Sequence, residues 1–192
     1  MIDVKSMKPS AKLIATHILG LTCWVGLAWS STFRPMPLST LVQRSASVVV
    51  ATPVSFESHW AIMGATSRLV TDVTLEVAWT LRGRDTTGQD IVVRTLGGTV
   101  GDIAQIVYGE ARFSVGQTSL LFLVPGHEGT WHVLGMAQGH YPLEPNGDGD
   151  WRLRQSPGLE GVLKPELSAA QALSGQRLLD VPSLLKAQEV AP

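Results

Sequence analysis

The run His127-Glu128-Gly129-Thr130-Trp131-His132 places two imidazoles and a carboxylate close together in the sequence, as zinc chemistry requires. A zinc-protease helix carries two histidines one helical turn apart, with a glutamate beside the first. Here the spacing between the histidines is one residue too long, and Pro125, Gly126 and Gly129 oppose a helix. The run therefore predicts a hairpin turn with exposed histidines, and we expect no metal site.

A second run, Asn146-Gly147-Asp148-Gly149-Asp150, resembles the start of a calcium-binding loop, in which oxygen ligands are spaced by glycines. Trp151 stands where that loop needs glycine, and Pro157 stands where it needs glutamate. These departures favour an acidic hairpin turn. Weak calcium binding is the alternative interpretation.

The glycine cluster Gly97-Gly98-Thr99-Val100-Gly101 follows a predicted strand, as a phosphate-binding loop does. It lacks the Lys-Ser/Thr pair of a P-loop and the G-x-G-x-x-G spacing of a dinucleotide site. The chain also has no G-x-S-x-G elbow that would present a nucleophilic serine. We therefore predict no cofactor, and we expect the glycines to adopt positive φ where the chain leaves the sheet.

Two segments are candidates for binding. The connection from Gly97 to Gly116 is longer than ordinary loops, and long ordered connections often carry function. Gln138 to Tyr141 combines hydrogen-bonding groups with an aromatic ring and predicts a polar rim over the mouth of a barrel. The candidate binding residues are Gly97, Gly98, Asp102, Gln138, His140 and Tyr141. The alternative is that the second segment closes a turn and caps the core.

No residue is predicted to be catalytic. An enzyme whose acid and base come from distant parts of the chain leaves no spacing signature, so a second hypothesis pairs His140 with Asp102 or Glu110.

The first thirty residues have the pattern of an export signal. Lys5, Lys8 and Lys12 precede an uncharged, mostly apolar run, Leu13 to Trp29, and small side chains follow at the predicted cleavage positions, after Ala28 or Ser30. Residues 1–30 are therefore predicted to be a signal peptide, and the mature protein is predicted to be secreted or periplasmic. One alternative is an uncleaved membrane anchor. Another is a lipoprotein signal at Cys23, although the preceding Gly20-Leu21-Thr22 fits a lipobox poorly.

The cysteine count and the net charge of the chain exclude several classes of function. Cys23 is the only cysteine, so cleavage would leave neither a disulfide framework nor a thiol nucleophile. After position 30 the chain has 12 basic and 15 acidic side chains, for a formal net charge of −3. This balance predicts no nucleic-acid binding, and membrane association only if the signal is retained.

Residues 31–46 are expected to form a linker and a short helix, Leu38 to Ala46, with Ser39 or Thr40 as N-cap. A β domain follows at residues 47–143. Its longest strand alternates cleanly, with the odd-numbered residues from Leu69 to Leu81 on one face. We expect this stripe to be buried against the other strands, through the residues Val48, Val50, Val54, Ile91, Val93 and the apolar segment Ser119 to Val124.

The remaining predicted strands are Ser47 to Phe56, Ile91 to Leu96, the central Ser119 to Val124, and Trp131 to Met136, with His140 to Leu143 beyond them. Residues 144–192 are predicted to form an extension. It contains a hairpin returning through Trp151 to Arg154, and two short helices, Pro165 to Leu173 and Pro182 to Val190.

Residues 46–136 resemble the core of a netrin-like domain, the oligonucleotide/oligosaccharide-binding (OB) barrel of tissue inhibitors of metalloproteinases. The resemblance rests on three stretches: Ala46 to Ala51, Val73 to Gly83 ending in Leu81-Arg82-Gly83, and Ser119 to Val124. The segment Gly135 to His140 is also similar to one found in small exported bacterial proteins. The resemblance implies a mostly β fold with a five-stranded OB-like barrel.

The inhibitors of that family chelate the target zinc through an N-terminal cysteine, and disulfides brace their barrels. A mature chain without cysteine has neither device, so the resemblance does not extend to that chemistry. The leading hypothesis is an exported, non-enzymatic binding module for a protein or other extracellular ligand. The alternatives are a secreted or periplasmic hydrolase and a structural component of the cell envelope.

Overall fold

The computed structural model describes residues 34–147, 149–160 and 168–190, so the predicted signal peptide lies outside the described residues. The described residues belong to one compact unit, Phe33–Pro192. Within these ranges there are nine strands: β1 Ser47–Met63, β2 Thr66–Arg82, β3 Asp90–Leu96, β4 Gly98–Val100, β5 Ile103–Gln105, β6 Ser119–Pro125, β7 Trp131–Val133, β8 His140–Pro145 and β9 Trp151–Leu153. The predicted mostly β fold is confirmed.

Helices are few and short in the described part of the chain. They are α1 Leu38–Arg44, α2 Ala169–Leu173 and α3 Val181–Val190, with 3-10 turns at Met136–Gly139, Pro157–Leu159 and Leu178–Asp180. The predicted N-cap of α1 is wrong: the cap is Pro37, whose side chain makes no capping hydrogen bond. The predicted helix from Pro165 begins partly outside the described residues, and its described part is α2.

The main sheet has seven strands in the order β1-β2-β3-β7-β6-β8-β9, and it closes into a ring because β1 also pairs with β6. Five strands therefore form the ring: β1, β2, β3, β7 and β6. All their pairings are antiparallel except the parallel contact of β3 with β7, made through Val93 and Trp131. The remaining pair, β4 and β5, forms a separate two-stranded hairpin.

The interior of the ring is an apolar core. Val73, Leu75 and Val77 of the odd-numbered stripe lie there, as predicted. Their neighbours in this core are Val49, Ala51, Ile91, Val93, Ala111, Leu121, Leu123 and Val133. Burying apolar side chains of this size contributes roughly 1.5 to 3 kcal/mol each, so this cluster holds the ring together.

A second core lies on the outer face of β1 and β6, where the helices cover the sheet. It contains Val48, Val50, Leu120 and Phe122 from the sheet, and Leu38, Leu41, Val42, Leu173, Val181 and Leu185 from the helices. The expectation that Val48 and Val50 lie against the odd-numbered stripe is therefore wrong. Residues 48–51 are buried on both faces, so alternation in the sequence does not distinguish the two sides.

Two bulges explain why two further side chains, predicted to face the interior, are exposed instead. The β1–β2 register shifts between Val50 and Ala51, where Ala78 is the extra residue, and this turns Trp79 out of the interior to 54% exposure. A second shift leaves Val54 as the extra residue on β1, and Val54 is 45% exposed. Phe56, predicted to share a face of its strand with Val48, Val50 and Val54, lies beyond the part of β1 that pairs with β6 and is 41% exposed.

Two strand ends differ from the predictions. β1 continues to Met63, because it pairs with β2 along its whole length. The strand predicted from Trp131 to Met136 ends at Val133, since Gly135 and Met136 both adopt positive φ and lead into a 3-10 turn. β6 is central, as predicted: it pairs with β1, β7 and β8.

Candidate functional site

The β4–β5 hairpin is anchored to the sheet at Gly97 and Gly98. Both glycines have positive φ, as expected, with values of +91° and +135°. A Cβ on Gly98 would lie 2.3 Å from Thr71 Oγ1 and 2.5 Å from Ser58 Oγ. Only glycine therefore lets the chain cross so closely over β1 and β2, and this crossing fixes the base of the hairpin.

Beyond this anchor the hairpin and the segment after it expose large apolar side chains. Ile103 is 55% exposed, Ile106 73% and Tyr108 75%, while Asp102 lies exposed in the turn between β4 and β5. The three apolar side chains fall within six consecutive residues. Contiguous apolar patches on a protein surface often mark sites of interaction with another molecule.

The second predicted binding segment is not on the surface. Gln138, His140 and Tyr141 are all buried, with at most 5% of each residue exposed. The prediction of an exposed polar rim is therefore wrong, and the alternative, that these residues close a turn and cap the core, describes their positions. Gln138 lies in the 3-10 turn before β8, and the first four residues of β8 are all buried.

Gln138 secures the segment before α1. Its side-chain oxygen accepts a hydrogen bond from the Met36 backbone N–H at 2.7 Å, and its amide nitrogen donates to the Arg34 carbonyl at 3.2 Å. Both bonds join residues about a hundred positions apart in the sequence. The side-chain amide of Gln138 therefore holds the segment before α1 in place.

His140 lies between two buried hydroxyls. Its Nδ1 is 2.9 Å from Ser156 Oγ, and its Nε2 is 3.1 Å from Ser119 Oγ. Ser119 donates its own proton to the Gln117 carbonyl, so the neutral ring donates from Nε2 and accepts at Nδ1. Burial lowers the pKa of His140 to about 3, which keeps the ring neutral.

The Tyr141 ring packs edge-on against Phe122, with centroids 6.2 Å apart. Its hydroxyl is buried and has no hydrogen-bond partner within the described part of the chain. Burial raises the pKa of Tyr141 above its ordinary value.

The hypothesis that pairs His140 with Asp102 or Glu110 finds no contact in the structure. Both ring nitrogens of His140 are bonded to serines, and Asp102 is exposed on the hairpin. Glu110 instead lines a cavity of about 260 Å³ with His132. Burial raises the pKa of Glu110, against the lowering effect of hydrogen bonds from the Ala111 and Leu96 N–H groups and of His132.

His132 presents one ring nitrogen as a base. Its Nδ1 lies 2.9 Å from the Arg94 carbonyl oxygen, which can only accept, so Nδ1 carries the proton. Nε2 is then the acceptor of the neutral ring. It lies near Gly126, where a Cβ would come within 2.8 Å of it. The sequence offers no spacing signal for the Glu110–His132 arrangement.

A groove of about 390 Å³ adjoins this cavity, and we refer to it as the histidine groove. Its lining residues come from the far end of β1, from β3, from the β6–β7 turn and from β7: His59, Trp60, Ala61, Ile62, Met63, Arg94, His127, Glu128 and His132. The run from His127 to His132 is a turn leading into β7, as predicted from its glycines.

Arg94 is the central charge of the histidine groove, and it is already paired. Its Nε and Nη2 donate to the two Asp72 carboxylate oxygens at 2.7 and 2.8 Å, and its Nη1 lies 3.5 Å from Glu128. The hydrogen bonds to Asp72 raise the pKa of Arg94. Because two carboxylates neutralise it, Arg94 does not make the groove a site for anions.

Among the described residues no group of three or more His, Cys, Asp or Glu side chains is arranged to hold a metal ion. The acidic run Asn146 to Asp150 joins β8 to β9 as a hairpin, with Pro145 opposite Trp151. Asp148 lies outside the described residues, so the alternative of weak calcium binding stays a prediction.

A second cleft of about 260 Å³ lies between Trp79 and Trp151 and is lined mostly by apolar side chains. The bulge at Ala78 turns Trp79 toward it. Periodicity in the sequence predicted the opposite face for this side chain.

In the described part of the chain, no helix is both long enough and apolar enough to cross a membrane. No protein-family model matches the chain, and no curated protein matches its sequence.

Proposed function

We propose that the protein is an exported, non-enzymatic binding module, and that the β4–β5 hairpin with the segment up to Tyr108 is its surface for a protein partner. The observation that carries the proposal is the exposure of Ile103 on an anchored hairpin and of Ile106 and Tyr108 in the segment directly after it. Apolar and aromatic side chains of this kind form the buried centre of protein interfaces.

Anchoring matters for affinity because ordering a flexible loop on binding costs free energy. Here the base of the hairpin is held before any partner arrives. The Gly97 N–H donates to the Leu69 carbonyl at 2.8 Å, and Thr71 Oγ1 donates to the Gly97 carbonyl at 2.8 Å. The hairpin can therefore present its apolar side chains with little further ordering.

We also propose that the fold is OB-like and related to netrin-like domains. The closed five-stranded ring supports this proposal, since OB folds are five-stranded, partly open β-barrels. Export is supported by the lysines and the apolar run at the N-terminus. Mass spectrometry of the N-terminus of the protein recovered from the cell envelope or the medium tests export, and an uncut N-terminus on cytosolic protein contradicts it.

The binding surface can be tested by site-specific photo-crosslinking in the producing cell. A photoreactive amino acid at Ile106 or Tyr108 should give one discrete adduct with a second protein, because these side chains would lie within the interface. The same amino acid at Arg84, exposed in the β2–β3 connection, is the control and should give none. Equal crosslinking at all three positions, or none at the first two, contradicts the proposal.

A second candidate function is hydrolysis, with Glu110 as the acid and His132 as the base. It is favoured by the raised pKa of Glu110 and by His132 Nε2, which lies on the same cavity and has no hydrogen-bond partner among the described residues. Ester and peptide substrates are the probes, with Glu110→Gln and His132→Gln as the diagnostic variants. Activity lost in both variants, while crosslinking at Tyr108 persists, would assign hydrolysis to this cavity.

A further inference from the structure

The outer half of β1 has an unpaired edge. β6 pairs with β1 only from Ser47 to Ala51, and within the described residues no other strand pairs with the edge of β1 that faces away from β2. The edge from Val54 to Ile62 therefore offers backbone N–H and C=O groups to another strand. An exposed edge of this length is a template for pairing with another chain.

The sequence along this edge reads nearly the same in both directions about Ser58. Phe56 and Trp60 are both aromatic, and Glu57 and His59 are an acid and a base. Further out, Ser55 and Ala61 are both small, and Val54 and Ile62 are both β-branched. An antiparallel pair of identical strands centred on Ser58 would place each residue opposite its counterpart.

From this symmetry we propose that two copies of the chain associate through antiparallel pairing of their β1 edges, with the two-fold axis at Ser58. Each Phe56 then lies opposite Trp60 of the second copy, and each Glu57 opposite His59 of the second copy. Aromatic pairs and pairs of opposite charge are the cross-strand contacts that stabilise antiparallel sheets. A two-fold axis requires this kind of self-complementary surface.

Exposure and charge in the single chain agree with this arrangement. Trp60 is 48% exposed and Ile62 85% exposed, so both are available to a second copy. Glu57 lies directly opposite Asp72 on β2, which places two carboxylates side by side. Asp72 is paired with Arg94 and also lies 3.8 Å from His59 Nε2 of its own chain, while Glu57 has no ion-pair partner among the described residues. In the dimer, the imidazole of His59 from the second copy would lie beside Glu57 as well as near its own Asp72.

The β1 edge adjoins the β4–β5 hairpin of the proposed function, because Gly98 at the base of the hairpin lies over Ser58. A symmetric dimer would carry two hairpins and so would bind a multivalent partner more tightly than one copy does. The pairing does not depend on that function.

Sedimentation equilibrium of the protein, purified as its host processes it, measures the association directly. We expect a reversible dimer of twice the chain mass, with a dissociation constant in the micromolar range. Trp60→Ser should weaken it by about tenfold, because each substitution removes an aromatic pair twice in the symmetric dimer. Ile62→Arg, at a position exposed enough to leave folding intact, should weaken it too. Trp79→Ser, an equally exposed tryptophan on β2, is the matched control and should have no effect.

Register is tested with cysteines in a Cys23→Ser background. A mixture of Glu57→Cys and His59→Cys chains should form a disulfide-linked heterodimer on mild oxidation, because these positions face each other across the pair. Each variant alone should crosslink much more slowly. A monomer at all concentrations overturns the proposal, and so does a dimer that Trp60→Ser leaves intact or that gives no preferred crosslink in the mixture.

Discussion

Ser58 and Thr71 face each other across β1 and β2, and their hydroxyl oxygens lie 2.8 Å apart directly beneath Gly98. The contact joins three segments: the long β1–β2 hairpin, the end of β3 and the start of β4. A side chain at Gly98 would have to displace both hydroxyls. The geometry of the exposed hairpin therefore depends on a residue that contributes no side chain.

Gly98→Ala is expected to lower the free energy of unfolding by about 3 kcal/mol, from overpacking and from strain at positive φ. Gly101→Ala is the control: its φ is also positive, but nothing lies within 4 Å of the added Cβ. Its cost should be about 1 kcal/mol. Urea unfolding followed by circular dichroism measures the unfolding free energies of both variants. Equal losses would show that the chain at Gly98 does not pass closely over Ser58.

Val77→Asp should prevent folding, and Leu75→Ala should cost about 3 kcal/mol, because both side chains are fully buried inside the ring. Trp79→Ala on the same strand is the comparison. Since the bulge turns it outward, its cost should stay below about 1 kcal/mol. Thermal melts would contradict the face assignment if Trp79→Ala proved as damaging as Leu75→Ala.

Acid should destabilise the protein through His140. The unfolded state takes up a proton below about 6.5, the ordinary pKa, whereas the native state resists protonation until about 3. Stability contributed by the neutral ring is therefore present above pH 6.5 and is lost as the pH falls toward 3, at up to about 1.4 kcal/mol per pH unit. Unfolding free energies at several pH values should show this slope.

Two variants test whether His140 causes this dependence of the unfolding free energy on pH: His140→Gln, and His127→Gln as its control. The first should flatten the dependence on pH between 6.5 and 3, although it also disturbs the bonds to Ser119 and Ser156. The second alters an exposed histidine and should leave the slope unchanged. If both variants keep the full slope, another group is responsible.

Asp72→Ala should cost about 3 kcal/mol, because it leaves the largely buried Arg94 guanidinium without its bidentate partner. The double variant with Arg94→Met should recover part of that loss, since no unpaired charge then remains. Glu144→Ala breaks the ion pair with Arg154, in which both side chains are more than half exposed, and should cost less than about 1 kcal/mol. A double-mutant cycle on Asp72 and Arg94, measured by urea unfolding, gives their coupling energy directly. If the effects of the two single substitutions simply add, the two side chains are not coupled and the prediction is wrong.

Much of the fold follows from local pattern. The alternation in β2, the apolar run of β6 and the helical spacing of Leu38, Leu41 and Val42 each predict an element that the structure contains. These signals are readable because each reports which side of one segment meets water. The glycines at 97 and 98 were recognisable too, because leaving a sheet sharply requires positive φ.

The candidate site was only half predictable. The sequence marked the connection after Gly97 as a surface, and its apolar side chains are exposed. It also marked Gln138, His140 and Tyr141, whose polar atoms suggested a rim. Their burial depends on tertiary packing, and the polarity of a residue in the sequence does not reveal whether a hydroxyl or carbonyl group in the interior will hydrogen-bond to it.

The sequence by itself determined that this chain forms strands with an apolar stripe, a short helix before them and glycine-dependent turns. Only the tertiary structure decided which face of β1 meets that stripe, where the bulges turn Trp79 and Val54 outward, and which groups meet His132 and His140. The reason is that periodicity records the burial of single residues, whereas a bulge or a pairing between distant strands depends on the register of two segments at once.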